Sequence, residues 1–180
     1  MDNVKASLGL WQQRQDDTLT ANAIEQLYAA APAEIRRALE PFGYYRAVVS
    51  GELSEPTQNE MPWRASFVID SGQAVSIEAI SIRFSSPQSQ HTDLNELPDQ
   101  LNLREGEPLD HRRYREAKND LLSRTRELGF LDAQFAKHRI EVDLASYSAS
   151  IQLKIETGPR YVFGDVTFLQ EQFAPEYLAR

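Results

Sequence analysis

The sequence predicts an α+β protein built on one strand–helix–helix–strand–strand unit that recurs at a fixed spacing. Three observations predict it. The stretch Lys154–Phe168, KIETGPRYVFGDVTF, repeats the pattern of Val68–Ile82, VIDSGQAVSIEAISI, with Gly158 and Gly72 standing 86 residues apart (158 − 72). Leu128-Gly129-Phe130 answers Phe42-Gly43-Tyr44 at the same offset (129 − 43 = 86). Between these landmarks, apolar residues at helical spacing give way to apolar residues at every second position. Self-similarity at a fixed period is the mark of stacked supersecondary units.

The elements follow in chain order. Val4, Leu8 and Trp11 fall at i, i+4, i+7 and predict an amphipathic helix. Ile35, Leu39 and Phe42 repeat that spacing. Gly43 follows where a helix end wants a left-handed residue, a conformation glycine adopts without a Cβ clash. Tyr44–Leu53 reads as a strand. Trp63, Ala65, Phe67 and Ile69 alternate with Arg64, Ser66 and Val68, the period of a half-buried strand. Asp70-Ser71-Gly72 turns the chain. A further strand is predicted over Val75–Phe84, broken by Ser85-Ser86-Pro87, with a short helix within Asp93–Leu103. The next helix opens at Asp110, whose carboxylate caps free N–H groups, while Leu109 and Tyr114 form a hydrophobic staple. Tyr114, Ala117, Leu121 and Leu128 line its apolar face and Gly129 ends it. Leu131–Val142 is the next strand. Ala149, Ile151, Leu153 and Ile155 are the inward set of the last.

One detail goes beyond periodicity. In the opening strand the apolar parity slips from Val75 and Ile77 to Ile80, Ile82 and Phe84. The copy slips likewise, from Tyr161 and Phe163 to Val166 and Phe168. A one-residue slip flips the buried face unless a bulge absorbs it. Bulges are therefore predicted at Glu78-Ala79 and at Gly164-Asp165. The units read as residues 1–72, a first unit lacking its opening strand; 73–158, a complete second unit; and 159–180, the opening strand and helix start of a third. The N-terminus begins inside an amphipathic pattern, so the chain reads as a piece of something longer.

Composition narrows the function. Net charge is −8, from 19 basic and 27 acidic residues, and basic residues come no denser than pairs such as Arg36-Arg37 and Arg112-Arg113. That argues against nucleic acid as a partner. No cysteine is present, which excludes disulfides, thiolate metal sites and a cysteine nucleophile. No apolar run approaches the length of a membrane-spanning helix. His91, His111 and His138 have no metal-type spacing, and His111, in a first helical turn, reads as solvated. Glu105-x-Glu107 reads as a turn ahead of the Asp110 cap rather than a carboxylate pair. Ser146, Ser148 and Ser150 alternate as on the wet face of a sheet. Neither a G-x-S-x-G elbow nor a phosphate-binding loop occurs. No catalytic, metal or cofactor residue is assigned, and a non-enzymatic role is expected.

The repeating unit resembles the POTRA domain of Omp85-family outer-membrane proteins, and among them the TamA-like members. The residues that carry the likeness are Asn3-Val4-Lys5-Ala6, Phe42-Gly43-Tyr44-Tyr45, Glu127-Leu128-Gly129-Phe130 and Glu156-x-Gly158-Pro159-x-Tyr161-x-Phe163-Gly164-x-Val166-x-Phe168. The first junction, Ala74-Val75-Ser76-Ile77-Glu78, departs from the pattern by lacking its aromatic and second glycine. The resemblance implies tandem POTRA units, each a three-stranded mixed sheet on two helices. It implies a soluble arm at the periplasmic face of the Gram-negative outer membrane, belonging to a protein embedded there. The implied partners are a TamB-like inner-membrane protein and unfolded β-barrel or autotransporter clients.

Three-stranded sheets leave unpaired edges, and an extended client can pair there through main-chain hydrogen bonds. The edge strands are expected to carry the site through Tyr45, Ala47 and Val49 in the first unit and Ala133, Phe135, Lys137 and Arg139 in the second. Against this, Lys137, His138, Arg139 and Glu141 equally suit an edge charged to resist aggregation. Trp11, Phe42, Tyr44 and Phe130 read as core. Two other readings stay open: a spacer without client contacts, and an unrelated small α+β enzyme or ligand-binding domain. The spare strand Arg160–Leu169 also predicts strand-swapped self-association of this chain.

Overall fold

Thr20 opens the longest helix by accepting the Ala23 N–H at 3.3 Å on its side-chain oxygen. The helices are α1 (Asp2–Ser7), α2 (Gly9–Gln12), α3 (Ala21–Leu39), α4 (Thr92–Glu96) and α5 (His111–Glu127). The strands are β1 (Val48–Ser54), β2 (Arg64–Asp70), β3 (Ser76–Ser85), β4 (Gln134–Asp143) and β5 (Ser148–Glu156). The computed structural model describes residues 2–57, 62–85, 92–165 and 167. The Pro87 break, His91, Val166 and the predicted helix start within 168–180 lie outside the described residues.

The N-terminal helix predicted through Trp11 forms as two pieces. Leu8 is extended between them (φ −93°, ψ 115°), and the freed Gly9 N–H bonds the Glu34 carboxylate at 2.9 Å. Trp11 is not core. It is 41% exposed, with the Arg14 guanidinium 4.3 Å from its ring centre. The first strand also begins later than Tyr44. After Gly43 (φ +85°) the chain turns, and β1 starts only at Val48. It pairs antiparallel with β2, from Val48 opposite Asp70 to Ser54 opposite Arg64.

The second sheet has the order β3-β5-β4, with β3 parallel and β4 antiparallel to the central β5, a mixed sheet as expected. The register of β3 on β5 shifts between Ile77 and Ala79, so Glu78 is the predicted bulge. It keeps Ile77, Ile80, Ile82 and Phe84 on the face of Ala149, Ile151, Leu153 and Ile155. An unpredicted bulge lies between Phe135 and Lys137 in β4. Arg160–Asp165 belong to no strand, so the predicted opening strand of a third unit is not formed over those residues, and Gly164 marks no bulge. A strand exists only as a hydrogen-bonded pair, and no described segment offers these residues a ladder.

The repeat survives in three dimensions. The starts of β1 and β4 are 86 residues apart (134 − 48), as are the ends of β2 and β5 (156 − 70). Gly43 and Gly129 both take positive φ, +85° and +96°, at their helix ends. Val75 donates its N–H to Gly43 O at 2.9 Å, and Tyr161 donates to Gly129 O at 2.8 Å. The third residue past each unit (75 − 72 and 161 − 158) thus docks on the glycine that closes that unit's second helix.

The core sits in the second unit. Leu109, Leu121, Phe130, Ile151 and Ile155 are fully buried between α5 and the sheet, with Leu94, Leu97 and Leu101 closing one end. In the first unit the buried apolar residues are small, save Ile35: Ala31, Ala38 and Ala47. Tyr28 stacks on Phe67 at 5.4 Å beside them.

The predicted cap of α5 is present, with Asp110 Oδ1 accepting the Arg112 N–H at 2.8 Å. Burial pushes the Asp110 carboxyl up, but the bonds from Arg112 and Arg113 and the Arg112 charge outweigh it and hold the pKa below its ordinary value. Stability from this cap is therefore complete above about pH 4 and is lost as pH falls through the lowered folded value. Asp110→Ala is expected to lose about 1 kcal/mol in urea unfolding at neutral pH, with the gap to wild type narrowing at about pH 3.

Candidate functional site

A sheet edge exposes N–H and C=O groups wherever no neighbour takes them. The two edges of the second sheet differ. On β3, the Ile77 N–H donates to Glu107 O at 2.8 Å, and Ile77 O accepts the Gly106 N–H at 2.7 Å. Glu105 Oε1 then accepts the Ile80 N–H at 2.9 Å. The turn read from Glu105-x-Glu107 thus covers the start of that edge. On β4, Gln134–Asp143 pair with β5 on one side, and among the described residues nothing pairs on the other.

The bulge in β4 sorts its side chains. Phe135, His138, Ile140 and Val142 lie opposite Ile155, Leu153, Ile151 and Ala149, on the face toward the helix. Lys137, Arg139 and Glu141 lie opposite Lys154, Gln152 and Ser150, on the outer face. Phe135 is half-buried, with His138 edge-on at 6.0 Å and the Lys118 ammonium 5.2 Å from its ring centre. Arg139 bridges Glu141 at 2.9 Å.

The seven predicted edge residues do not form one kind of site. Lys137 and Arg139 are exposed on β4, as expected of contact residues. Phe135 shares the strand but faces the core side. Ala133 is buried and precedes the strand. In the first unit Val49 faces inward on β1 opposite Ile69, while Tyr45 and Ala47 precede β1 altogether. Tyr45 instead fills the joint between the units. It packs against the second core, and its hydroxyl lies 2.8 Å from His111 Nε2. Burial, then the nearby Glu40 charge, raise the Tyr45 hydroxyl pKa. His111 is accordingly bonded and half-buried rather than solvated. The bulge at Ala136 was readable: apolar parity slips from Ala133 and Phe135 to Ile140 and Val142, the same signal as in β3.

A depression of about 390 Å3 lies against Ile80, Ile82, Leu101 and Leu103. Its polar groups serve the fold. Arg104 donates to the carbonyls of Asp99, Leu101 and Leu103, and Glu105 holds the Ile80 N–H. Among the described residues no group of three or more His, Asp or Glu side chains is placed to hold a metal. No described helix is long and apolar enough to cross a membrane.

Comparison with known proteins agrees with the repeat. Residues 1–71 match the family described as "POTRA domain TamA domain 1". Residues 79–158 match the POTRA family described as "Surface antigen variable number repeat". Both parts of the chain thus match POTRA families, and the chain belongs to the POTRA domains. Its first domain is of the TamA kind, and the pair is TamA-like. Among solved structures, it is similar to Haemophilus influenzae BamA POTRA3-5, at 12% identity and a TM-score of 0.42, over 81% of this chain and 63% of that one. It is also similar to POTRA1-2 of the periplasmic domain of Omp85 from Anabaena, at 16% identity and a TM-score of 0.39, over 82% of this chain and 92% of that one. The chain thus spans less than two thirds of the BamA fragment's length.

Proposed function

We propose that this POTRA pair is the docking portion of a TamA-like periplasmic arm and that β4 receives an extended segment of another protein as an added strand. The full-length protein sits in the outer membrane, and its partners are a TamB-like inner-membrane protein and unfolded β-barrel or autotransporter clients. The observation that carries the reading is the contrast between edges: β3 is covered at its start by residues 105–108, whereas among the described residues nothing pairs on the free side of β4. Strand addition gains main-chain hydrogen bonds with little demand on sequence, which suits a module that handles many clients. Residues 159–180 begin a third unit in this reading, and the uncovered Tyr161 and Phe163 are where it would pack.

A photo-crosslinker at Lys137 or Arg139 is expected to capture an unfolded barrel protein, whereas one at Glu105 is not. Arg139→Pro, which removes a strand N–H, is expected to weaken client binding at least about fivefold in a still-folded domain. Capture at Glu105 equal to that at Lys137 would defeat the reading. The spacer reading also has an observation in its favour, the packed joint at Tyr45, Gly43 and Val75, and absence of capture at any β4 position would select it.

A further inference from the structure

The register of the second sheet sets three cations side by side. Arg83 on β3 is opposite Lys154 on β5, and Lys154 is opposite Lys137 on β4. All three lie on the outer face, since the core face is carried by the alternate residues Ile82, Leu153 and His138. Adjacent strands lie about 4.8 Å apart, so the row spans about 10 Å. Like charges directly opposite one another destabilise a sheet. The row also stands out against a chain whose net charge is −8. Among the described residues no carboxylate pairs with any of the three. Lys137 donates to the neutral Gln152 Oε1 at 2.6 Å, and the ion pair beside it, Arg139 with Glu141, is closed on itself. Arg83, Lys137 and Lys154 line a depression of about 310 Å3 together with Ser81, Gln152 and Leu153.

The row runs out at the open edge. A strand added to β4 places one side chain directly opposite Lys137, with Cβ atoms about 5 Å apart and on the same face as all three cations. An acidic side chain there supplies the missing counter-charge. We infer that β4 selects extended protein segments bearing Asp or Glu at the position opposite Lys137, with apolar side chains alternating on the face of Phe135, Ile140 and Val142. This rests on the strand-addition reading and gives it a register and a client class: an amphipathic strand with an acid on its polar face. Arg139 adds little to the selection because Glu141 already neutralises it.

The test uses the whole chain and short blocked peptides of alternating valine and threonine, with one central threonine replaced by Glu, Gln or Lys. At low salt the Glu peptide is expected to bind about fivefold tighter than the Gln peptide, with the Lys peptide weakest. The preference disappears in Lys137→Gln and reverses in Lys137→Glu, both exposed changes whose folding is checked by circular dichroism. It fades as salt approaches about 0.5 M, where exposed charges are screened. Equal binding of the three peptides overturns the inferred selection and leaves strand addition standing. Absence of binding by all three overturns the strand-addition reading and the selection with it. Phosphatidylglycerol vesicles that bind through Lys137, without any peptide preference, assign the row to lipid phosphate and also overturn it.

Discussion

Gly43→Ala is expected to destabilise the first unit by about 2–4 kcal/mol and to loosen its joint with the second. Gly43 sits at φ +85°, where an L side chain costs about 1–2 kcal/mol. A Cβ there would also lie 2.9 Å from Leu109 O and 3.2 Å from Val75 O. Both are backbone atoms, and they are tied to each other: Val75 donates to Gly43 O at 2.9 Å, and Leu109 donates to Val75 O at 2.8 Å. Relief of the clash therefore has to break the bonds that join α3 to the second unit. The first unit has little else to hold it, since its buried set is largely alanine. The two tryptophans, Trp11 and Trp63, both belong to it. Tryptophan fluorescence in urea thus reports this unit alone. Its midpoint is expected to fall and to separate from the far-ultraviolet dichroism transition; an unmoved fluorescence midpoint would contradict the account. Gly129→Ala is the internal control. Its Cβ would approach Tyr161 O to 2.7 Å, a worse contact on paper. Tyr161 is itself bonded to Gly129 O at 2.8 Å and to Asp132 at 2.8 Å, so relief there strains the closing turn of the second unit and adds to the φ penalty of about 1–2 kcal/mol, but it breaks no bond of the joint and leaves the fluorescence midpoint in place.

The contrast between those glycines shows how far a sequence can be read. Their backbone role is local, so the offset of 86 residues and the flanking aromatics reveal it. The bulge at Glu78 is equally local, because a slip in apolar parity has one structural remedy. The cap at Asp110 and the inward set of β5 were legible for similar reasons. What escaped depends on contacts distant in sequence. Tyr45 and Ala47 alternate with Val49 like a strand, yet β1 starts at Val48, because Tyr45 is drawn to His111, 66 residues on. Trp11 fits an apolar stripe but finds two cations instead of a core. On β4 simple alternation places Phe135, Lys137 and Arg139 on one face. The bulge at Ala136 turns Phe135 to one face and the two cations to the other. The row of Arg83, Lys154 and Lys137 was illegible altogether, because it needs the pairing of three strands, one of them parallel.

Phe130→Ala is expected to cost about 3–5 kcal/mol. Phe130 is 1% exposed and is the largest fully buried side chain among the described residues. It follows Gly129, whose positive φ reverses the chain and drops the ring between α5 and the sheet. Its backbone is pinned as well: its N–H reaches Thr125 O at 3.3 Å and its carbonyl takes the Ala133 N–H at 3.1 Å. The site therefore cannot collapse onto a smaller side chain, and the cavity remains. A domain of this size has about 5–15 kcal/mol of stability, so the loss consumes a large part of it. Phe130→Leu, which keeps most of the volume, is expected to cost less than half as much. With a urea slope of about 1–3 kcal/mol per molar, the alanine variant's dichroism midpoint drops by more than about 1 M. The fluorescence midpoint follows by a smaller amount, because the first unit loses only what Val75, Leu109 and Tyr45 supply at the joint. Equal shifts would mean that the two units unfold as one, and that the joint, rather than the thin first core, carries the stability of the first unit. Since β4 rests on this same core, peptide binding at its edge must vanish at the urea concentration where the dichroism transition begins, whatever the tryptophans report.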